Sequence, residues 1–243
     1  MSIINFHVLF SENAKCMSAR LGLPLHTSMQ NPVGLYVVFG AHEKSPELLL
    51  IQSQHPVRYV IMNSEQPGSN VMRNKYYLKL MRDNVVFNMD SLKGYSPIFF
   101  EFPYTPGTSE RDIDVLFLGA ASPKRQGIYD TLRTTYPDKV IVFHFAGQYP
   151  NPTSILQRAK VVLNIPYYEN NMVLETHRIN KALACGCRVI SLGEPVAEYI
   201  PYVTFTKTIE DLIEEPGKKG YLDLLRLADR YGKHNKFILN HLL

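Results

Sequence analysis

A chain of 243 residues, 45% hydrophobic and 20% charged, has enough apolar content to bury one substantial core or two of ordinary domain size, which excludes a disordered chain. Its net charge of +4 comes from Lys and Arg dispersed without any basic block, which argues against a nucleic-acid partner and suits an anionic small ligand. The opening residues MSIINFHVLFSENAK hold no basic segment leading into a long apolar one, and nowhere do about 18 apolar residues run together. A cytoplasmic protein with no integral membrane segment is therefore expected. Its three cysteines, Cys16, Cys185 and Cys187, fit a reducing compartment and buried thiols; the Cys185-x-Cys187 pair has no second pair beside it to complete a metal site.

In chain order, the first half offers strands at Ile4 to Phe10, Val33 to Gly40, Arg58 to Asn63 and Asn84 to Met89, with a helix VMRNKYYLKLMRD between the last two. The strand RYVIMN runs into Ser64-Glu65-Gln66 and Pro67-Gly68, so a carboxylate falls at a strand's carboxyl end. Glu65 there is suited either to orienting or deprotonating an acceptor hydroxyl or to capping the loop. Asp90-Ser91 closes the following strand in the same manner. Pro103, Pro106, Gly107, Thr108 and Ser109 then mark a connector, dividing the chain into expected domains 1–107 and 108–243.

The second half restarts the pattern with DVLFLGA, a helix from Pro123, KVIVFHFAG, a helix near Ser154, KVVLNIPYY, a helix near Leu174 and CRVISLG. A closing helix from Tyr221 to about Tyr231 places Leu224, Leu227, Ala228 and Tyr231 at i, i+3, i+4, i+7. Strands alternating with helices predict an α/β protein of two Rossmann-like parallel-sheet domains facing a cleft.

Two segments carry the chemistry. In the loop Gly119-Ala-Ala-Ser-Pro-Lys-Arg-Gln-Gly127, Ser122 is placed to cap a helix and Pro123 to begin it, which puts Lys124 and Arg125 in its first turn. Cations there oppose the helix macrodipole. A bound diphosphate would explain them, and two solvated surface cations are the other reading. Neither GxGxxG nor GxxxxGK[ST] is present, so the first-turn signatures of dinucleotide and P-loop enzymes are missing.

The second segment, KVVLNIPYYENNMVLETHRINKALACGCRVISLGE, reads as strand, polar loop, helix, strand. Its loop holds Tyr167, Tyr168, Glu169, Asn170 and Asn171, and its helix opens with Glu175 and Arg178. Ile179 and Ala182 follow Glu175 on the same face, where a carboxylate is costly to bury unless something binds it. A ribose diol for Glu175 and a phosphate for Arg178 are one reading; a surface i,i+3 ion pair is the other. Asp112-Ile113-Asp114 precedes a strand, whereas a metal-binding D-x-D should follow one. The eight histidines, His177 among them, lie scattered without zinc-site spacing.

On these residues the second half resembles the donor-binding domain of GT-B glycosyltransferases. The block from Lys160 to Ser191 is similar to the strand, tyrosine-rich loop and L-E-x-x-R-I-N/E-x-A-L-x-x-G-x-x-V-I-S pattern of small sugar transferases from bacteria and large DNA viruses. YVIMNSEQ followed by YYLKL resembles that group's Y-I-I-x-x-x-E-Q … Y-L-x-L segment. The resemblance spans most of residues 58–193 and implies a nucleotide-sugar co-substrate, UDP-linked by preference, a glycan acceptor and no metal. It implies that Glu175 binds the ribose, that Lys124, Arg125 and Arg178 bind the diphosphate near Gly119, and that Tyr168, Glu169, Asn170 and Asn171 lie near the transferred sugar. Phe145 to Tyr149 would lie near the base. The E-x7-E pattern of many retaining members finds Tyr167 at its first position, with Glu169 out of register, so retention is not implied.

The expected function is thus metal-independent transfer of a sugar to a glycan hydroxyl, with Glu65 as general base if the reaction inverts. A non-catalytic nucleotide-sugar-binding module of a larger glycan-synthesis enzyme is the alternative. A dehydrogenase or methyltransferase lacks its glycine-rich first turn.

Overall fold

The computed structural model describes residues 1–7, 10–29, 32–65, 69–88, 102, 104–107, 110–145, 152–168 and 174–208. The expected closing helix, Asp90-Ser91 and the loop 146–149 lie outside the described residues. The chain divides into two compact units, Met1–Phe100 with Arg230–Leu243 and Glu101–Asp229, each built on a five-stranded sheet in which every pairing is parallel.

In the first unit, β1 (Ser2–Asn5), β2 (Leu25–His26), β3 (Gly34–Phe39), β4 (Val57–Asn63) and β5 (Val85–Asn88) run in the spatial order β2-β1-β3-β4-β5. The helices α1 (Ser11–Leu21), α2 (Ser45–Gln54) and α3 (Lys75–Arg82) make the crossovers that parallel pairing demands. β3 and β4 read as nearly unbroken apolar runs because both faces of a parallel sheet are covered, and from Leu35 to Phe39 and from Tyr59 to Asn63 every residue is buried. One face gathers Ile4, Tyr36, Val38, Tyr59 and Ile61 with Leu48, Tyr77 and Leu80 of the helices. The Tyr59 hydroxyl is satisfied inside that core by donating to the Leu48 carbonyl at 3.1 Å.

The second unit repeats the plan. β6 (Ile113–Leu118), β7 (Ile141–His144), β8 (Ala159–Asn164), β9 (Arg188–Leu192) and β10 (Val203–Thr206) alternate with α4 (Pro123–Thr135), α5 (Pro152–Leu156) and α6 (Thr176–Ala184). Read across the sheet, the order is β7-β6-β8-β9-β10, which in chain order within the unit is the same 2-1-3-4-5 winding as in the first. Val115, Phe117, Leu163 and Ile190 pack here against Ile128 and Leu132 of α4.

Several expectations shift in detail. The first strand lies at Ser2–Asn5, earlier than the apolar run suggested, because Phe10 is already the N-cap position of α1. The helix expected over VMRNKYYLKLMRD is split: a 3-10 turn at Val71–Arg73 ends at Asn74, whose backbone is extended and whose side-chain Oδ1 caps α3 by accepting from the Tyr76 and Tyr77 N–H groups. β2 and β10 were not anticipated, being two and four residues long. Cys185 and Cys187 are buried as expected, and burial pushes the Cys187 thiol up to about 12.

The chain enters the second unit already tied to it. Thr105 N–H donates to the Ala184 carbonyl at 2.9 Å, and Arg111 donates to the carbonyls of Cys185, at 2.7 Å, and Ala159. No helix among the described residues is long and apolar enough to cross a membrane.

Candidate functional site

In the 2-1-3-4-5 winding the chain leaves its first strand toward one edge and its third toward the other, so a crevice opens between those strands at their carboxyl ends. In the second unit these are β6 and β8. Gly119 and the start of α4 follow the one; Ile165, Tyr167 and the start of α6 follow the other.

The N-terminus of α4 forms as the sequence implies. Ser122 is extended and its Oγ accepts from the Arg125 N–H at 3.2 Å, while Pro123 opens the helix. Lys124 is half-buried in the first turn. Arg125 is not on the surface: it is 2% exposed, and its guanidinium turns inward across the crevice. Nε and Nη2 donate to the Ile165 carbonyl at 3.0 and 2.6 Å, Nη1 donates to the Ala120 carbonyl at 2.9 Å, and Nη2 also reaches Glu175 Oε1 at 3.2 Å. Gly119 leaves it room, since a Cβ there would lie 2.8 Å from the Phe117 ring and 3.3 Å from Arg125 Nη1.

Glu175 sits one residue before α6, at the N-cap position, and is 5% exposed. Its carboxylate does not cap the helix. Oε1 takes Arg125 and Oε2 takes Nη2 of Arg178, one turn on, in a close ion pair. The pair is therefore the i,i+3 pair of one sequence reading, but with its carboxylate buried, Arg178 half-buried and a third member joined to it. What binds the buried carboxylate is this chain's own arginines.

Aromatic faces enclose the triad. The Phe117 ring lies 4.8 Å from the Arg125 guanidinium carbon and 5.6 Å from that of Arg178, and the Tyr167 ring lies 5.2 Å from that of Arg125. Burial draws the Arg125 guanidinium down to about 10; Glu175 pulls it back up and Arg178 pushes it further down, and it stays charged at neutral pH. Two cations sharing one carboxylate leave the cluster with a net positive charge. One buried donor, Nη1 of Arg178, has no hydrogen-bond partner among the described residues. Nearby, Asn164 at the end of β8 donates to Ser191 Oγ at 2.9 Å, and its buried Oδ1 is likewise unpartnered.

Of the other residues singled out, Tyr168 is half-buried beside Tyr167, their rings 4.9 Å apart. Glu169, Asn170 and Asn171 lie outside the described residues. Asp112 and Asp114 stand at the amino end of β6 and pair with Arg158 and Lys160, away from the crevice. In the first unit Glu65 follows β4, its backbone held in an Asx turn by Asn63 and its Oε1 3.8 Å from Nδ1 of His42. His42 and His7, passed over in the sequence, face one another with ring centroids 5.5 Å apart. The available signal was positional: each falls a few residues past the carboxyl end of a strand.

No protein-family model matches this chain, and no curated protein matches it.

Proposed function

We propose that the chain is a nucleotide-sugar-dependent glycosyltransferase whose second unit holds the donor diphosphate in the crevice between β6 and β8. The observation that carries this reading is the Arg125–Glu175–Arg178 triad, with Arg125 and Glu175 buried and Arg178 half-buried, net positive and with an unsatisfied Arg178 Nη1, at the place where open parallel sheets bind anions. The resemblance of the block from Lys160 to Ser191 supplies the substrate class.

In this reading Arg178 contacts the diphosphate together with Lys124, while Arg125 and Glu175 are positioning residues that hold the Arg178 guanidinium in place. The bond between the sugar's anomeric carbon and the diphosphate oxygen breaks, and negative charge gathers on that oxygen. Preorganised guanidinium and helix N–H dipoles stabilise that charge without a metal ion. The acceptor hydroxyl forms the new bond and gives up its proton to a general base.

Calorimetric titration with UDP tests the donor grip. Arg178→Gln removes a charged hydrogen bond of about 1.5–3 kcal/mol and should weaken UDP binding about 10- to 150-fold, with wild-type affinity unchanged by EDTA. Equal affinity in the variant, or no thermal stabilisation and no turnover with any of a panel of nucleotide sugars, overturns the reading.

A further inference from the structure

The first sheet has the same winding as the second, so its own crevice opens between β1 and β3, and histidines are gathered there. His7 follows β1. His42 and Glu43 lie in the 3-10 turn Ala41–Lys44 that follows β3, and Glu65 follows β4. Gly40 makes the convergence feasible. Its φ of 68° turns the chain sharply, and a Cβ there would lie 2.6 Å from the Cβ of His7, so only glycine lets the two loops close on each other.

Two of the three separations between candidate ligand atoms are those of a coordination polyhedron. Zinc bonds nitrogen at about 2.0–2.1 Å and carboxylate oxygen at about 2.0–2.2 Å, so neighbouring ligands of a tetrahedral ion stand about 3.3–3.5 Å apart. Glu43 Oε1 lies 3.4 Å from Nε2 of His7 and 3.5 Å from Nε2 of His42. One ligand atom from each of the three residues falls within 4.8 Å of the others. Behind His42, Glu65 Oε1 faces the other ring nitrogen, Nδ1, at 3.8 Å. A carboxylate on that side is the usual support of a metal-bound imidazole, and closing the 3.8 Å gap to hydrogen-bond length favours the tautomer that leaves the Nε2 lone pair directed at an ion. The edge of His42 is packed against the Tyr77 ring and His7 against Phe10, which limits how far either imidazole can swing.

We propose that His7, His42 and Glu43 bind one divalent cation of the zinc class, with Glu65 orienting His42 and a fourth position left open for water or an anion. Two imidazoles and one carboxylate select zinc, cobalt or ferrous ions over magnesium and calcium, which take oxygen ligands. The ion belongs to the first unit and takes no part in the donor-side charge stabilisation proposed above.

The test is a cobalt(II) titration of the full, metal-free chain, read by the visible ligand-field bands of a four-coordinate ion. One ion per chain should bind, be displaced by zinc and resist excess magnesium. His7→Ala and His42→Ala should abolish the bands, Glu65→Gln should weaken binding about 10- to 100-fold, and His26→Ala, on an exposed histidine, should change nothing. Glu43→Gln, whose side chain is about half exposed, serves if a histidine variant fails to fold. Four-coordinate bands that survive in the folded His7→Ala, His42→Ala or Glu43→Gln proteins, or a wild-type chain that shows none, overturn the proposal. UDP affinity is read separately, so the two proposals fail independently.

Discussion

The two sheets share a winding and differ in what they place at the crevice that winding creates. In the second unit the crevice holds permanent charge, two guanidiniums locked on a buried carboxylate beside the Phe117 ring, with Tyr167 also against Arg125. In the first it holds titratable groups that are partly solvated: His7, His42, Glu43 and Glu65, with His7 lowered by burial and by His42 against the raising pull of Glu43 and Glu65. The parallel sheet fixes where chemistry can occur, and a handful of side chains in the strand-to-helix loops decides which chemistry it is.

Removing the carboxylate breaks the comparison most severely. Glu175→Ala strands the buried Arg125 guanidinium and the half-buried one of Arg178 and should cost about 3–5 kcal/mol, seen as early unfolding of the second unit in urea with the first unit's transition unmoved. If both transitions move together, the units do not unfold separately. On the histidine side, Gly40→Ala forces a left-handed backbone on alanine at about 1–2 kcal/mol and drives its Cβ into His7. Its unfolding free energy should drop by at least that amount, and unchanged His7 and His42 imidazole resonances would show that the close approach does not hold the cluster. The smallest effect sharpens the contrast within one unit: Asp112→Asn breaks an exposed Arg158–Asp112 pair and should leave the midpoint within error. A drop comparable to that of Glu175→Ala would mean that burial is not what separates the two Arg–carboxylate pairs.

The alternation of strand and helix was legible because apolar runs such as VVLNI and YVVF keep their signal inside a short window. So was the start of α4, whose cap and proline are adjacent in sequence. The Asn74 break was hidden, since VMRNKYYLKLMRD carries helical spacing through it and only the backbone of Asn74 reveals two elements. The inward turn of Arg125 was beyond local reading: its strongest acceptor, the Ile165 carbonyl, lies 40 residues on, and a cation in a first turn reads as solvated without it. The histidine cluster was hidden for the same reason, because motif spacing on one element cannot register ligands contributed by loops after successive strands.

Arg111 has a practical bearing on how the protein can be dissected. Its donors bridge the start of β8 to the end of α6, and Phe102 beneath Lys181, with Thr105 on Ala184, adds further stitches upstream of the first strand of that unit. A shortened gene for the second unit should therefore open near codon 101; one opening at codon 112 would discard the seam and leave the carbonyls of Cys185 and Ala159 without their guanidinium donor.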